Sequence, residues 1–201
     1  MSNPAGAYHH GNLQTALLEE AADMIAEGGA ESVTMRALGL RLGVSRSAAY
    51  RHFADKDALL IAVAAAGFGR LAERAQSVDT DSPRPGDERL RRLGHEYVRF
   101  ALENPAHYRL MYGKEAIGRR DVPELRDAGN ALFEQLVDEI QAFQRHEGIE
   151  GQDPRAQAYV AWAAVHGLAS LLIEGQIMAD VDVDALIRRT TQTVLDGLRA
   201  R

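Results

Sequence analysis

The segment Thr34–Phe53 constrains the fold of this chain more than any other stretch of its sequence. Apolar residues at helical spacing mark Met35–Leu42 as one short helix, and a second short helical pattern covers Arg46–His52. Three residues separate the two patterns. Two helices of about two turns each, joined this tightly, must cross at a steep angle.

The residues around this turn suit its geometry. Thr34 and Ser45 precede the two helices, where a hydroxyl oxygen can accept a hydrogen bond from a backbone N–H of the first turn. Gly43 can adopt a positive φ, and Val44 can fill the angle between the helices. The segment is therefore predicted to form a helix-turn-helix, a motif whose first helix crosses the phosphate backbone of DNA and whose second helix enters the major groove.

If this motif binds DNA, side chains at the start of its second helix must hydrogen-bond to base edges. Arg46 and Ser47 meet this requirement, and we expect Ala48 and Ala49 to leave that face slim enough for close approach. Phe53, at the end of the segment, is expected to pack in the core instead.

The remaining sequence also favours helices, because alternating apolar and polar runs bounded by turn residues are nearly absent. Apolar positions recur at steps of three and four over Leu13–Ile25, ahead of Gly28 and Gly29. The further predicted helices are Lys56–Arg74, Glu88–Glu103, Pro105–Gly113, Glu124–His146, Asp153–Met178 and Asp184–Arg199. Ser77–Asp87, with two prolines and three aspartates, is predicted to be a linker. The fold class is therefore predicted to be all-α.

Charge is unevenly distributed along the chain. The 201 residues include 23 lysines and arginines and 29 aspartates and glutamates, and the net charge of −6 by itself argues against a nucleic-acid partner. Residues 33–56, however, carry five basic residues and one acidic residue, a local charge of +4. The predicted helix-turn-helix is thus the one concentrated positive segment, and DNA binding through it should weaken as salt rises.

Cysteine is absent, which excludes a disulfide scaffold, a Cys-ligated zinc finger, an iron–sulfur protein and a thiol nucleophile. The histidines do not form an HxxxH or ExxH pair, so neither a metal site nor a cofactor is predicted. Residues 1–12 have no basic start and no apolar stretch. We therefore expect no secretory signal and a cytoplasmic location.

Six short motifs lie between residues 8 and 61. They are YHHGNL at residues 8–13, Glu27–Ala30, Val33–Leu38, Leu42–Ser45, Tyr50–Phe53 and Lys56–Leu60. Together they resemble the DNA-binding domain of TetR-family transcriptional regulators. Leu40 departs from that pattern, because the family usually has a small or polar residue there. In the C-terminal part, Trp162–Leu168 looks like the tryptophan-His-Gly signature of one subgroup of the family's regulatory domains.

The resemblance implies a homodimeric, ligand-responsive repressor of a double-stranded DNA operator. Its N-terminal three-helix helix-turn-helix domain would occupy residues 1–60, and a C-terminal helical domain for regulation and dimerisation residues 61–201. The predicted DNA-binding residues are Thr34, Arg36, Ser45, Arg46, Ser47, Tyr50, His52 and Lys56. The matching positions imply base contacts for Arg46 and Ser47, and phosphate contacts for Thr34, Tyr50, His52 and Lys56.

Aromatic and sulfur-containing side chains in the C-terminal part are candidates for a cavity that binds a small-molecule effector of unknown identity. The predicted ligand-binding residues are Phe100, Tyr108, Met111, Phe133, Trp162 and His166. Packing in the core is the alternative for each of the aromatic residues. For His166, which follows Trp162 by four residues and so shares its helical face, the alternative is a core or interface position.

The stretch Ala156–Ile173 carries no formal charge and approaches the length of a membrane span. Its many alanines and its polar side chains favour a buried helix of a soluble protein instead. Small residues lie at four-residue steps, which lets another helix approach closely: Ala161, Val165 and Ala169 form one such row, and Ala163 and Gly167 form another. This helix and the one after it are predicted to form a four-helix interface between two subunits, with an intramolecular core as the alternative.

Two other functions stay open at this point. The first is an all-α enzyme or small-molecule carrier, but the sequence has no phosphate loop, dinucleotide fingerprint, nucleophile elbow or metal-binding helix motif. The second is a constitutive DNA-binding or architectural dimer without an effector. A ligand screen by thermal shift, followed by a test of operator release, would separate this second function from a ligand-responsive regulator.

Overall fold

The computed structural model of the chain describes residues 13–78, 85–113, 122–149, 151–178 and 180–200. The helices are α1 Leu13–Gly28, a 3-10 helix Ala30–Ser32, α2 Met35–Arg41, α3 Arg46–Tyr50, α4 Lys56–Gln76, α5 Pro85–Glu103, α6 Pro105–Tyr112, α7 Pro123–Glu147, α8 Pro154–Ile173 and α9 Val183–Arg199. These described ranges contain no β-strand, and the all-α prediction is confirmed. Residues 8–12 of the YHHGNL motif lie outside them.

Two predicted helix boundaries differ from the structure by three residues or more, and several others differ by one or two. α5 begins at Pro85, so the last three residues of the predicted linker Ser77–Asp87 are helical. Proline suits this place because the first turn of a helix needs no N–H donor there. α8 ends at Ile173 rather than at Met178, because Gly175 adopts a φ of +65° and stops the helix.

By their contacts, the described residues group into two compact units. The N-terminal unit comprises residues 13–66 and 106–113, and the C-terminal unit comprises the described residues within 67–105 and 122–200. α4 continues from the first unit into the second, and α6 belongs almost entirely to the first. The domain boundary near residue 60 stays a prediction.

In the N-terminal unit, α1 packs against α2 and α2 against α3. The core of this unit is mostly aliphatic, and its fully or nearly fully buried side chains include Leu17, Ile25, Val33, Leu38, Ala49, Phe53, Leu59 and Leu60. The predicted core position of Phe53 is confirmed. Burial of these side chains orients the two short helices, which are too short to be stable on their own.

In the C-terminal unit, α5, α7, α8 and α9 pack against one another. One core cluster combines α7, α8 and α9 through Ile140, Phe143, Ala158, Ala161, Leu195 and Leu198. Three helices meet closely at Gly94 of α5, where an added Cβ would lie 2.7 Å from Thr191 Cγ2 of α9 and 3.3 Å from Val165 Cγ1 of α8. A glycine at this position therefore allows α5 to cross the other two helices.

An ion-pair cluster joins three helix ends of the C-terminal unit. Arg199 at the end of α9 donates hydrogen bonds to Asp87 in the first turn of α5 and, at 2.8 Å, to Glu147 at the end of α7. The guanidinium also lies over the ring of Phe143, 5.2 Å from its centroid. Hydrogen bonding to Arg199 lowers the pKa of the Glu147 carboxyl below its ordinary value.

α8 is long and apolar enough to cross a membrane by length and composition alone, with a mean hydropathy of 1.4. Its inner face, which includes Ala158, Val165 and Ala169, packs within the C-terminal unit. Only 22% of its most apolar window is buried, because the opposite face, with Val160 65% and Leu171 45% exposed, is open in the single chain. The prediction of a buried helix is therefore met on one face only.

Candidate nucleic-acid interface

The predicted caps hold the two helices of the helix-turn-helix. Thr34 Oγ1 accepts a hydrogen bond from the backbone N–H of Ala37 at 3.1 Å, and Ser45 Oγ accepts one from Ala48 at 3.2 Å. Gly43 has a φ of +65° in the turn. Both caps satisfy N–H groups that a helix start leaves without a partner, so α2 and α3 begin where the sequence predicts.

The turn lies directly against α2. A Cβ added to Gly39 would stand 3.0 Å from the backbone oxygen of Val44, and the backbone N–H of Val44 donates to the Gly39 carbonyl at 2.9 Å. Glycine weakens a helix interior by about 1 kcal/mol relative to alanine. At Gly39 this weakness accompanies a close backbone contact that a larger residue would disturb.

α3 presents its polar residues to solvent and its small residues to the core. Arg46, Ser47 and Tyr50 are exposed, whereas Ala48 and Ala49 are buried. The expectation that the two alanines keep the outer face slim is wrong. Their small side chains instead let α3 lie close to the N-terminal core, and the outer face is formed by the residues that can hydrogen-bond.

The exposed residues of α3 are linked to one another. Arg46 Nη2 donates to Tyr50 Oη at 3.1 Å, and the guanidinium carbon lies 5.1 Å from the centroid of the Tyr50 ring. Ser45 Oγ and Ser47 Oγ are 2.9 Å apart. The outer face of α3 is thus ordered by contacts within this segment.

The other predicted DNA-binding residues lie on neighbouring elements of the same unit. Arg36 is exposed on α2, His52 is half-buried after α3, and Lys56 begins α4. Lys56 Nζ lies 3.3 Å from a carboxylate oxygen of Glu31, whose side chain is fully exposed. The structure thus leaves polar groups of α2, α3 and the start of α4 accessible within one unit.

Part of the local positive charge is neutralised within the chain. Arg41 forms ion pairs with Glu20 at 2.9 Å and Glu27 at 2.8 Å, and its hydrogen bond lowers the pKa of the Glu27 carboxyl. With Lys56 beside Glu31, two of the five basic residues in the segment face acidic partners. Arg36, Arg46 and Arg51 are exposed and provide most of the positive charge that DNA can meet.

Three of the six predicted ligand-binding residues come together in the C-terminal unit. The ring centroids of Phe133 and Trp162 are 6.0 Å apart, and those of Trp162 and His166 are 5.5 Å apart. Tyr159, which is 52% exposed, stacks on Phe133 at 4.4 Å. These side chains form an aromatic cluster between α7 and α8.

Tyr97 of α5 connects this cluster through hydrogen bonds and was missed by the sequence analysis. Trp162 Nε1 donates to Tyr97 Oη at 3.1 Å, and Tyr97 Oη lies 3.0 Å from His166 Nδ1. The phenol proton is satisfied when Tyr97 donates to a neutral His166 protonated at Nε2. Burial lowers the pKa of His166 and so favours this neutral form.

The remaining three candidates lie elsewhere. Phe100 is buried on α5 beneath an open groove of about 420 Å³. The other residues that line this groove are all polar or charged, namely Arg70, Glu73, Arg74, Ser77, Glu103 and Asn104. Tyr108 and Met111 are buried on α6, which belongs to the N-terminal unit. A ligand-binding role for any of the six residues stays a prediction.

Both the N-terminal and the C-terminal part of the chain match models of known protein families. Residues 17–63 match the model of the family described as bacterial regulatory proteins, tetR family, and residues 90–194 match that of the tetracyclin repressor-like C-terminal domain. The second match alone covers more than half of the sequence.

Individual relatives give the same result. The chain is 24% identical to the HTH-type transcriptional regulator Mb1846 of Mycobacterium bovis, over 91% of this chain and 90% of that protein. It is 31% identical to the uncharacterized HTH-type regulator YobS of Bacillus subtilis, but spans only about half of its length (49% of this chain and 50% of YobS).

A solved structure of a protein of unknown function from Rhodococcus sp. RHA1 has a TM-score of 0.79 and 30% identity, and the match covers 96% of this chain and 99% of that one. The two family models, one of which covers more than half of the sequence, lead to one conclusion: the chain belongs to the TetR family of bacterial transcriptional regulators.

Proposed function

We propose that the chain is a homodimeric repressor that binds a pseudo-palindromic operator and is released from it by a small molecule. One observation carries the DNA-binding part of this proposal. The outer face of α3 consists of Arg46, Ser47 and Tyr50, each of which carries a hydrogen-bonding group, while Ala48 and Ala49 pack this helix against the core. A helix held in this way can enter the major groove with its first residues leading.

Dimerisation is supported by the open face of α8. Val160, Ala163 and Leu171 are exposed on one side of this helix, and Gly167 between them has no atom within 4 Å of an added Cβ position. An apolar helix face with small residues suits close packing against another helix. A single short recognition helix reads few base pairs, and two-fold symmetry doubles the sequence that is read.

Effector release is proposed to act through α4, because this helix is part of both units. The effector would bind in the C-terminal unit, where the aromatic cluster of Phe133, Trp162 and His166 offers apolar surface beside hydrogen-bonding groups. It must bind the DNA-incompetent state of the dimer more tightly. A difference of about 1–3 kcal/mol between the two states weakens DNA binding roughly 5- to 150-fold.

The test is selection of bound sequences from a random DNA library, followed by affinity measurements on the selected site. We expect an inverted repeat, and we expect the double variant Arg46→Ala/Tyr50→Ala to lose retention of this DNA while it stays folded. Arg145→Ala on α7 is a matched control, because it removes an exposed positive charge outside the helix-turn-helix. Unchanged retention by the double variant, or selection of no common sequence, would contradict the proposal.

A further inference from the structure

We infer that Tyr50 is a positioning residue for Arg46, and that it holds the Arg46 guanidinium in the orientation that reads a guanine in each half-site. This inference rests on the proposed function, since it specifies how the outer face of α3 selects a sequence. If Tyr50 only contacted a phosphate, as its position in the motif implies, loss of that contact would weaken binding to every DNA sequence by the same factor. Positioning of Arg46 makes Tyr50 a determinant of sequence preference.

Two different contacts define the position of the guanidinium. Arg46 and Tyr50 are the first and last residues of α3, four positions apart, so their side chains lie on the same face. The stacking distance of 5.1 Å from the guanidinium carbon to the ring centroid keeps the group over the ring. The 3.1 Å hydrogen bond from Nη2 to Oη fixes which edge of the group points toward the hydroxyl.

The pair leaves the guanidinium able to bind a base. An arginine side chain has five N–H donors, and the bond to Tyr50 uses only one of the two hydrogens on Nη2. A guanine presents O6 and N7 in the major groove, and two parallel N–H donors of an arginine match them. The second Nη2 hydrogen and the Nη1 hydrogens stay available for this contact while the bond to Tyr50 is kept.

The Tyr50 hydroxyl can connect the contact that Arg46 makes with a base to a contact with the DNA phosphate backbone. Tyr50 Oη accepts the hydrogen bond from Arg46, so its own proton is available for an acceptor such as a phosphate oxygen. Arginine side chains lose rotamer freedom on binding, and a side chain that is held beforehand loses less. In this arrangement the guanidinium of Arg46 is already oriented before it contacts the base, so binding costs less rotamer entropy.

The test compares the selected operator with copies in which single guanines are replaced by 7-deazaguanine, which lacks the N7 acceptor. The guanine read by Arg46 is the one whose replacement weakens binding by the wild-type chain but not by Arg46→Ala. At this guanine, we expect Tyr50→Phe to reduce the penalty for 7-deazaguanine by on the order of 5-fold. The phenylalanine keeps the ring and removes only the hydroxyl.

His52→Ala is the matched control, because His52 is another predicted phosphate contact and is not paired with Arg46. We expect this variant to weaken binding to the selected operator and to its 7-deazaguanine copy by the same factor, so that the ratio of the two affinities stays unchanged. An unchanged ratio in Tyr50→Phe, or no guanine at which Arg46→Ala abolishes the penalty, would overturn the inference. Failure of the wild-type chain to bind any selected DNA would instead overturn the proposed function.

Discussion

The hydrogen-bond chain of Trp162, Tyr97 and His166 depends on a single proton. Tyr97 accepts from the indole and can donate to His166 Nδ1 only while that nitrogen is unprotonated. Protonation of His166 adds a hydrogen to Nδ1, so the direction of this bond must reverse and the phenol proton needs another acceptor. Burial opposes the charge as well and lowers the pKa of His166.

We expect the C-terminal unit to lose stability as the pH falls from 7.5 to 5.5. Because the folded-state pKa of His166 is lowered, the unfolded chain binds more protons once the pH falls through 6.5, the ordinary value, and the loss continues to the folded-state pKa. The measurement is the urea midpoint at both pH values. In His166→Asn, which keeps an acceptor near the Nδ1 position, the urea midpoint should fall less between the two pH values than in the wild type. In the control His146→Asn, at an exposed position, it should fall as much as in the wild type. An equal loss in His166→Asn would contradict this.

A second prediction at this scale concerns Arg199. Arg199→Leu leaves the buried Asp87 without its cation, and we expect the free energy of unfolding to fall by about 2–3 kcal/mol in urea denaturation. Arg155→Leu is a matched control, because Arg155 also pairs with a glutamate and lies over a phenylalanine ring, but both partners of its ion pair are half exposed. The control should have only a small effect. Equal losses in the two variants would show that burial of Asp87 is not the cause.

At the scale of helices, Gly94 and Gly69 provide a matched pair. Both lie within helices, yet a Cβ at Gly94 would stand 2.7 Å from Thr191 Cγ2, whereas a Cβ at Gly69 meets nothing within 4 Å. We expect Gly94→Ala to lower the unfolding free energy by about 1–3 kcal/mol through overpacking. Gly69→Ala should raise it by about 0.5–1 kcal/mol through helix propensity. Denaturant titration measures both, and stabilisation by Gly94→Ala would contradict the close crossing of α5.

Local signals explain which features were predictable from the sequence. Thr34, Ser45 and Asp153 mark helix starts, because a cap hydrogen bond joins residues two or three positions apart. Glycine near the end of a helical pattern is an equally local stop signal, and the predicted extension of α8 overlooked it at Gly175.

Contacts between distant residues were not predictable in the same way. Tyr97 and His166 are 69 positions apart, and only the packing of α5 on α8 brings them together. The inward direction of Ala48 and Ala49 also required the structure, because alanine is compatible with either face of a helix. The candidate DNA-binding residues were identifiable by type, but the Arg46–Tyr50 contact was not.

At the scale of the whole molecule, the open face of α8 should control subunit association. We expect Val160→Glu, which places a charge on this face, to shift the protein toward its monomer mass of 22.0 kDa in light scattering and to weaken operator binding. Gln141→Glu on α7 adds the same charge at another exposed helix position and should leave the mass unchanged. A dimer that persists in Val160→Glu would place the subunit contact elsewhere.

The separation of buried and exposed residues within α3 has an evolutionary consequence. Ala48 and Ala49 carry the packing of this helix, while Arg46 and Ser47 are exposed and contribute nothing to the buried core. Exposed positions tolerate substitution with little change in stability. A duplicated copy of such a regulator can therefore drift toward a new operator through these two side chains without first acquiring compensating mutations in its core.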